Sequence, residues 1–260
     1  MERRRIRWDR VAMLAIPLFV ICLLIFTQCG KGDDKPESSK GDNSGISSSA
    51  SDLPVQSEDT FVVVIDAGHG GYDGGSTADG VTRLEKDDNL RLALATQKAL
   101  EQYKDVTVLM TRTTDEFISL QGRCDIANQA GADLFVSLHR NCAAVGNGVE
   151  IWIDNADDRV DKLLAEYILE LLEEVGISRN RGLKYGFRGV TDENSDNQAD
   201  SYYVNAHTDM PSCLIELGFL TADEDNVNFD THLEEYAAAI ARGIVELGTD
   251  EDLYQPAALQ

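Results

Sequence analysis

The sequence predicts an α/β domain standing behind an N-terminal membrane segment. Two observations carry the fold class: from residue 60 onward, short β-branched apolar runs alternate with longer stretches of helical spacing, and Gly-rich or polar turns punctuate them. Strands alternating with helices imply a sheet covered on both faces. A third observation sets the domain apart: an arginine-rich flank and an uncharged apolar run come first, followed by a polar stretch too poor in apolar residues to fold.

At the N-terminus, Arg3, Arg4, Arg5, Arg7 and Arg10 precede an apolar run from Val11 to Phe26 that carries no charge. Such a segment fits a cleaved signal peptide, a lipoprotein signal ending at Cys29 or a retained anchor. Phe26-Thr27-Gln28 supplies no small residue ahead of Cys29, and a small-x-small cleavage site is missing as well. The expectation is therefore a single-pass signal anchor over residues 1–29, its basic end in the cytoplasm and the rest of the chain outside. Residues 30–59, rich in Lys, Asp, Ser and Gly, read as a disordered linker. A catalytic-sized domain spans 60–250, and 251–260 form a tail.

The elements follow in order. Phe61 to Asp66 reads as the first strand, and Asp88 to Tyr103 as a helix with Leu and Ala on more than one face. Val106 to Met110 and Leu134 to Leu138 are expected strands with a short helix, Arg123 to Gln129, between them; Gly148 to Ile153 is the next strand. Val160, Leu163, Leu164, Tyr167, Ile168, Leu171, Leu172 and Val175 keep helical spacing, so this helix packs one face on the core. Tyr202 to Val204 and Ser212 to Glu216 read as late strands, and Leu233 to Leu247 as the closing helix.

Length and charge bound the rest. The 260 residues, 43% of them hydrophobic, suffice for one substantial core. A formal net charge of −23 argues against nucleic acid as a partner, because polyanions recruit clustered Lys and Arg. Cys22, Cys29, Cys124, Cys142 and Cys213 form no CxxC pair, so neither a zinc ribbon nor a disulfide scaffold is indicated. Free, buried thiols are expected in the folded region.

The first strand runs into Asp66-Ala67-Gly68-His69-Gly70-Gly71-Tyr72-Asp73-Gly74-Gly75. A dinucleotide fingerprint would need glycine where Asp73 stands, and no Walker lysine is present. The turn instead presents His69 among residues without side-chain bulk. His139 leaves another apolar strand, Leu134 to Leu138, in the same way, and two such histidines can converge over one sheet edge. Zinc with an open position needs a third donor, for which Glu85 is the best candidate; alternatively Glu85 is a helix N-terminal acid favoured by the dipole. Glu216 ends the apolar strand Ser212 to Ile215, where a carboxylate is costly unless paired, protonated or functional, and so is a candidate general base and acid. His207 and His232 lack such settings and read as surface or capping residues.

Several pieces recur in a fixed order: Ile65 to Gly71; Glu85-Lys86-Asp87 with Asn89-Leu90; Thr111-Arg112-Thr113 with Asp115, Ser119-Leu120 and Arg123; Ala132 to His139 with Asn141; Gly148-Val149-Glu150; Arg181 to Lys184; Met210-Pro211; and Glu216 to Leu220. This ordered set resembles the zinc-dependent N-acetylmuramoyl-L-alanine amidases that bacteria use in cell separation and sporulation, and it covers Phe61 to Gly248.

The resemblance implies a twisted, mixed, mostly parallel sheet of about six strands flanked by helices. It implies Zn2+ held by His69, Glu85 and His139, with Glu216 acting on the attacking water. It also implies peptidoglycan as the partner, cut between the muramic acid lactyl group and the L-alanine of the stem peptide. Arg140 stands where the family usually has Ala and could touch an anionic substrate or face solvent; with Asn141 it is an expected substrate contact. Ala67 replaces a usual Pro, which should alter only turn stiffness, and the acidic stretch Thr191 to Ser201 has no counterpart in the pattern. No long insertion of the kind that forms an inhibitory helix in some relatives is seen, which implies constitutive access to the site, and nothing specifies a protein activator. Two rival functions share these residues: a zinc peptidase acting within the stem peptide, and a non-catalytic wall-binding protein on the same fold.

Overall fold

Six strands form one mixed sheet in the order β2-β1-β3-β6-β4-β5, in a computed structural model that describes residues 60–155, 159–186 and 201–254. The expected anchor, the Gly30 to Asp59 linker, nearly all of the acidic stretch 191–201 and most of the C-terminal tail lie outside these residues. Among the described residues, no helix is long and apolar enough to cross a membrane.

The strands are β1 (Phe61–Ala67), β2 (Val106–Met110), β3 (Leu134–Asn141), β4 (Val149–Ile153), β5 (Asn180–Tyr185) and β6 (Ser212–Phe219). β2, β1, β3 and β6 are mutually parallel, β4 runs antiparallel to β6, and β5 is parallel to β4. The central strands β1 and β6 are buried along their whole length, as their near-continuous apolar runs require when both faces are covered.

Helices α1 (Glu85–Leu100), α3 (Arg159–Val175) and α6 (Leu233–Asp250) cover one face. In α3, Leu164, Ala165, Ile168, Leu169, Leu171 and Leu172 are buried at helical spacing, and Gly243 of α6 lies so close to Ile168 that a Cβ there would approach its Cγ1 to 2.9 Å. Helices α2 (Leu120–Ala130) and α4 (Tyr203–His207) lie over the other face, where Cys124, Ala127 and Val204 pack with Val62, Val64, Phe135, Trp152 and Leu214. Ser119 caps α2 by accepting from the Gly122 amide, and Gly131 ends it in the left-handed conformation. Helix α5 (Asp223–Thr231) follows β6. Cys124 and Cys213 are free, buried thiols, as expected, whereas Cys142 is only half-buried.

Three expectations need correction. Tyr202 to Val204 is not a strand: Tyr203–His207 forms a helical turn, which the Thr208 hydroxyl closes by donating to the Val204 carbonyl. The sixth strand is β5, whose polar sequence hides it. Helix α5 was not foreseen, because only Phe229 of its few apolar side chains is buried.

The start and end of the described domain meet at the edge where β1 begins. The Phe61 and Tyr254 rings lie 5.4 Å apart, and the Tyr254 hydroxyl donates to the Lys104 carbonyl.

Candidate active site

The carboxyl ends of β1, β3 and β6 open onto a cleft of about 900 Å³ lined by, among others, Asp66, His69, Glu85, His139, Asn141 and Glu216. This is where an open α/β sheet binds its ligands.

His69 follows β1 with φ +61°, a conformation that costs a non-glycine residue roughly 1–2 kcal/mol unless its surroundings impose it. Here they do. The Arg123 guanidinium donates to the His69 carbonyl at 2.8 Å and to that of Ala67 at 2.7 Å, while Arg112 donates to the carbonyls of Ala67, Gly68 and Lys86. Asp66 anchors the clamp, fully buried and accepting from Arg123, Thr111 and Ser137. Burial pushes the Asp66 carboxyl up, but the Arg123 charge and the two hydroxyls outweigh it and hold it ionised below its usual range.

Glu85 is the first residue of α1, one step inside the helix that was expected to begin after it. Its Oε1 lies 2.9 Å from His139 Nδ1 and 3.2 Å from His69 Nε2, while its Oε2 accepts from the Ser76 amide at 2.7 Å. Burial opposes its ionisation, yet hydrogen bonds and charge from the two histidines hold the carboxyl well below its ordinary value. Asp73 accepts at 2.8 Å from His69 Nδ1, turning Nε2 towards Glu85. The absence of side chains is also used: a Cβ at Gly68 would come within 2.2 Å of the His139 ring, and one at Gly75 within 2.6 Å of Glu85.

One donor atom from each of His69, Glu85 and His139 lies within 4.8 Å of the others. Tetrahedral zinc with bonds of about 2.0–2.1 Å would hold its ligand atoms roughly 3.3 Å apart, close to the spacings around Glu85 Oε1. Two imidazoles and one carboxylate beside an open cleft also match the donor set of a catalytic zinc with a free position. The residues fit the ion, and Asp73 is the outer carboxylate that fixes the tautomer and ring of such a histidine.

Glu216, 8% exposed, lines the cleft and pairs with His139 across the β3–β6 ladder. The row continues onto β4, where Glu150 pairs with Glu216. Glu150 accepts from Asn141 at 2.9 Å and from Arg181 of β5 at 2.7 Å. Asn141, expected as a substrate contact, does line the cleft.

Arg140 does not, which corrects the expectation that it could meet substrate or solvent. Its side chain is 0% exposed, pairs with Asp88 at 2.7 Å, donates to Asn226 and lies over the Phe229 ring at 4.3 Å. Alternation along β3 explains this: Arg140 shares the face of Leu134, Val136 and Leu138, whereas His139 takes the other. His207 is exposed against Tyr203, and His232 joins α5 to α6 outside the cleft. Asp73, Arg112 and Arg123 serve the site although the sequence, which shows the two arginines only as pieces of the ordered set, assigned none of them a role; Asp73, four residues past His69 in the same loop, was the most legible.

Comparison with known proteins gives a consistent result. Residues 63–246 match the family model described as N-acetylmuramoyl-L-alanine amidase. The chain is 32% identical over 185 residues to the N-acetylmuramoyl-L-alanine amidase CwlM of Bacillus licheniformis, an alignment covering 70% of this chain and 66% of that protein. Its structure resembles that of an N-acetylmuramoyl-L-alanine amidase from Clostridium difficile 630, with TM-score 0.64, 31% identity and coverage of 74% of this chain and 98% of that one. It also resembles the catalytic domain of the amidase CwlV from Bacillus (Paenibacillus) polymyxa var. colistinus, with TM-score 0.61, 32% identity and coverage of 71% and 96%.

Proposed function

The chain belongs to the N-acetylmuramoyl-L-alanine amidase family, and on that premise we propose that it hydrolyses the amide bond between N-acetylmuramic acid and L-alanine in peptidoglycan. One observation carries the proposal: three metal-type donors, His69, Glu85 and His139, stand within 4.8 Å of one another in the cleft that also presents Glu216.

Zinc is the ion this donor set fits, and when bound it supplies a Lewis acid that polarises a carbonyl and makes water more acidic. His69, Glu85 and His139 would hold it, and Asp73 fixes the ring of His69. Glu216 takes a proton from the attacking water and gives it to the departing alanine nitrogen, without which the amide is a poor leaving group. Asn141, which donates to Glu150 and lines the same cleft, would contact the stem peptide.

The arginine-rich flank and the apolar run 11–26 support a membrane anchor that leaves this domain outside the cytoplasm. Full-length protein should then fractionate with membranes and expose the domain to external protease; a soluble product beginning near Gly30 would show cleavage instead.

The activity is tested by digesting purified peptidoglycan with the zinc-loaded full chain and identifying the ends released by mass. Free L-alanine amino ends together with lactyl carboxyls support the amidase. New termini within the stem peptide would indicate a peptidase, and binding without products a wall-binding protein.

A further inference from the structure

Beside the cleft stand two exposed aromatic rings that the proposed chemistry does not use. Tyr72 is 84% exposed and Phe117 39%, and their rings stack with centroids 4.3 Å apart and planes inclined by 26°. Phe117, Ile118 and Leu120 line the cleft, and Leu120 is itself 55% exposed. Apolar side chains that continue outward from a polar site mark a surface that a ligand covers.

The pair is built by its backbone. Gly70 and Gly71 let the turn after β1 lie against the turn after β2: a Cβ at Gly70 would come within 2.1 Å of the Glu116 carbonyl oxygen, and one at Gly71 within 2.8 Å of the Phe117 nitrogen. The contact is tied by the Gly71 amide, which donates to Asp115 at 2.7 Å, and by Lys86 Nζ, which donates to Asp115 at 2.7 Å and to the Gly71 carbonyl at 2.8 Å. Tyr72, next in sequence, is thereby carried on a fixed support, and a preorganised ring loses little freedom when a ligand stacks on it. The following residue is Asp73, so one turn serves both the platform and His69.

Charge selects the occupant. The substrate has two arms at the scissile bond: a strand of uncharged N-acetylated sugar rings and a stem peptide bearing carboxylates. Glu116 lies exposed beside the platform, and Asp115, paired with Lys86, and Asp73, paired with His69, stand nearby, so among the described residues this rim holds no cation left over for a carboxylate and is indifferent to neutral rings. Sugar rings present faces of C–H groups, which suit the negative face of an aromatic ring. At the other end of the row of strands, Arg181 of β5 pairs with Glu150 at 2.7 Å and leaves about a quarter of its side chain exposed, so that side of the site carries a guanidinium beside its carboxylates. We infer that Tyr72 and Phe117 form a stacking platform for the glycan strand, which crosses the cleft at its β1–β2 end while the stem peptide extends towards β4 and β5. The inference rests on the amidase reading of the same site.

The test uses zinc-loaded full chain in two arms, with Tyr72→Ala compared against wild type, Tyr72→Phe and Tyr72→Trp. In the first arm, soluble glycan-bearing peptidoglycan fragments are cleaved: Tyr72→Ala should raise KM roughly three- to tenfold, the size of one aromatic contact, with kcat and zinc content unchanged, and Phe or Trp should restore it. In the second, chitotetraose, a peptide-free chain of N-acetylglucosamine, is titrated and its binding should weaken by the same factor. An unchanged KM, a fall in kcat alone, a raised KM with undiminished chitotetraose binding, or no binding of chitotetraose to the wild type would each overturn the platform. Failure of the wild type to release L-alanine amino ends would instead sink the amidase reading, with the chitotetraose arm still deciding the platform.

Discussion

His139 and Glu216 sit opposite each other across the parallel β3–β6 ladder, so a single strand register delivers both a metal-type donor and the proposed acid-base carboxylate to the same edge. The two can nevertheless be separated experimentally. Glu216→Gln keeps shape and hydrogen-bonding capacity but cannot take a proton, so folding and zinc content should stay near wild type while turnover drops by roughly 10² to 10⁴. His69→Ala and His139→Ala should lose most of the metal at stoichiometric zinc. Zinc stoichiometry, melting temperature and muropeptide cleavage measured on one preparation distinguish these outcomes, and an active, metal-loaded Glu216→Gln would exclude the catalytic role.

Gly68 is needed for what it lacks. Its φ is not unusual for other residues, but a Cβ would lie 2.2 Å from the His139 ring, so the ring must move. Gly68→Ala should weaken zinc binding at least about tenfold, given that outer contacts to metal ligands are typically worth 10- to 100-fold, while the sheet still folds. Competition against a chelator of known affinity, with circular dichroism as the folding control, checks this.

The metal-free site should be stabilised by protons. Burial disfavours the charged form of His69, but Glu85 and Asp73 prevail and raise it to about 9 from an ordinary 6.5. The sign follows: this stabilisation is complete below the unfolded value of 6.5 and is lost as pH rises through about 9. Chelator-stripped protein should therefore melt at lower temperature as pH climbs through that window. Zinc has to displace the proton, so its stabilising shift should be larger at about pH 8.5 than at about pH 6.5. Melting curves with and without zinc at both pH values give the answer; an equal shift would contradict it.

Arg140→Leu removes one partner of Asp88 in the interior. Arg83 and Arg91 also pair with Asp88, so the loss should fall below the ~3–5 kcal/mol typical of orphaning a buried charge, at about 2–3 kcal/mol. Asp88 sits one turn from Glu85 in α1, and the same change should loosen zinc binding modestly. Denaturant unfolding of stripped and loaded protein measures both quantities; an unchanged stability would mean that Arg83 and Arg91 satisfy Asp88 without Arg140.

Much of this arrangement could be read from the chain because long apolar runs have one plausible fate. Val106 to Met110 kept its bounds, and β1 and β3 differed only by extending to Ala67 and Asn141. His69, Glu85, His139 and Glu216 stood out because polar groups at the ends of apolar strands need a reason to be there. Arg140 was misjudged although period-two alternation assigns it to the face of Leu138, opposite His139. β5 was missed because an edge strand held by backbone pairing to β4 needs no apolar run, and Gly182 at φ +78° interrupts the pattern. Tyr202 to Val204 looked extended because three residues cannot distinguish a strand from a single helical turn. The Asp66 carboxylate, the Arg123 guanidinium and the Thr111 and Ser137 hydroxyls were invisible as a unit, since they come from four separated segments and only the fold brings them together.

The meeting of Phe61 with Tyr254 has a practical use. β1 is seven residues long, so this junction lies roughly 20 Å from the edge that carries His69. A surface linkage, fusion partner or affinity handle attached near residue 60 or 254 would grip the domain from behind and leave the cleft facing outward, even towards a bulky insoluble polymer. Because the two ends nearly touch, a short linker could also join them, and new ends opened at an exposed turn such as that around Val145 should give a circular permutant that still folds.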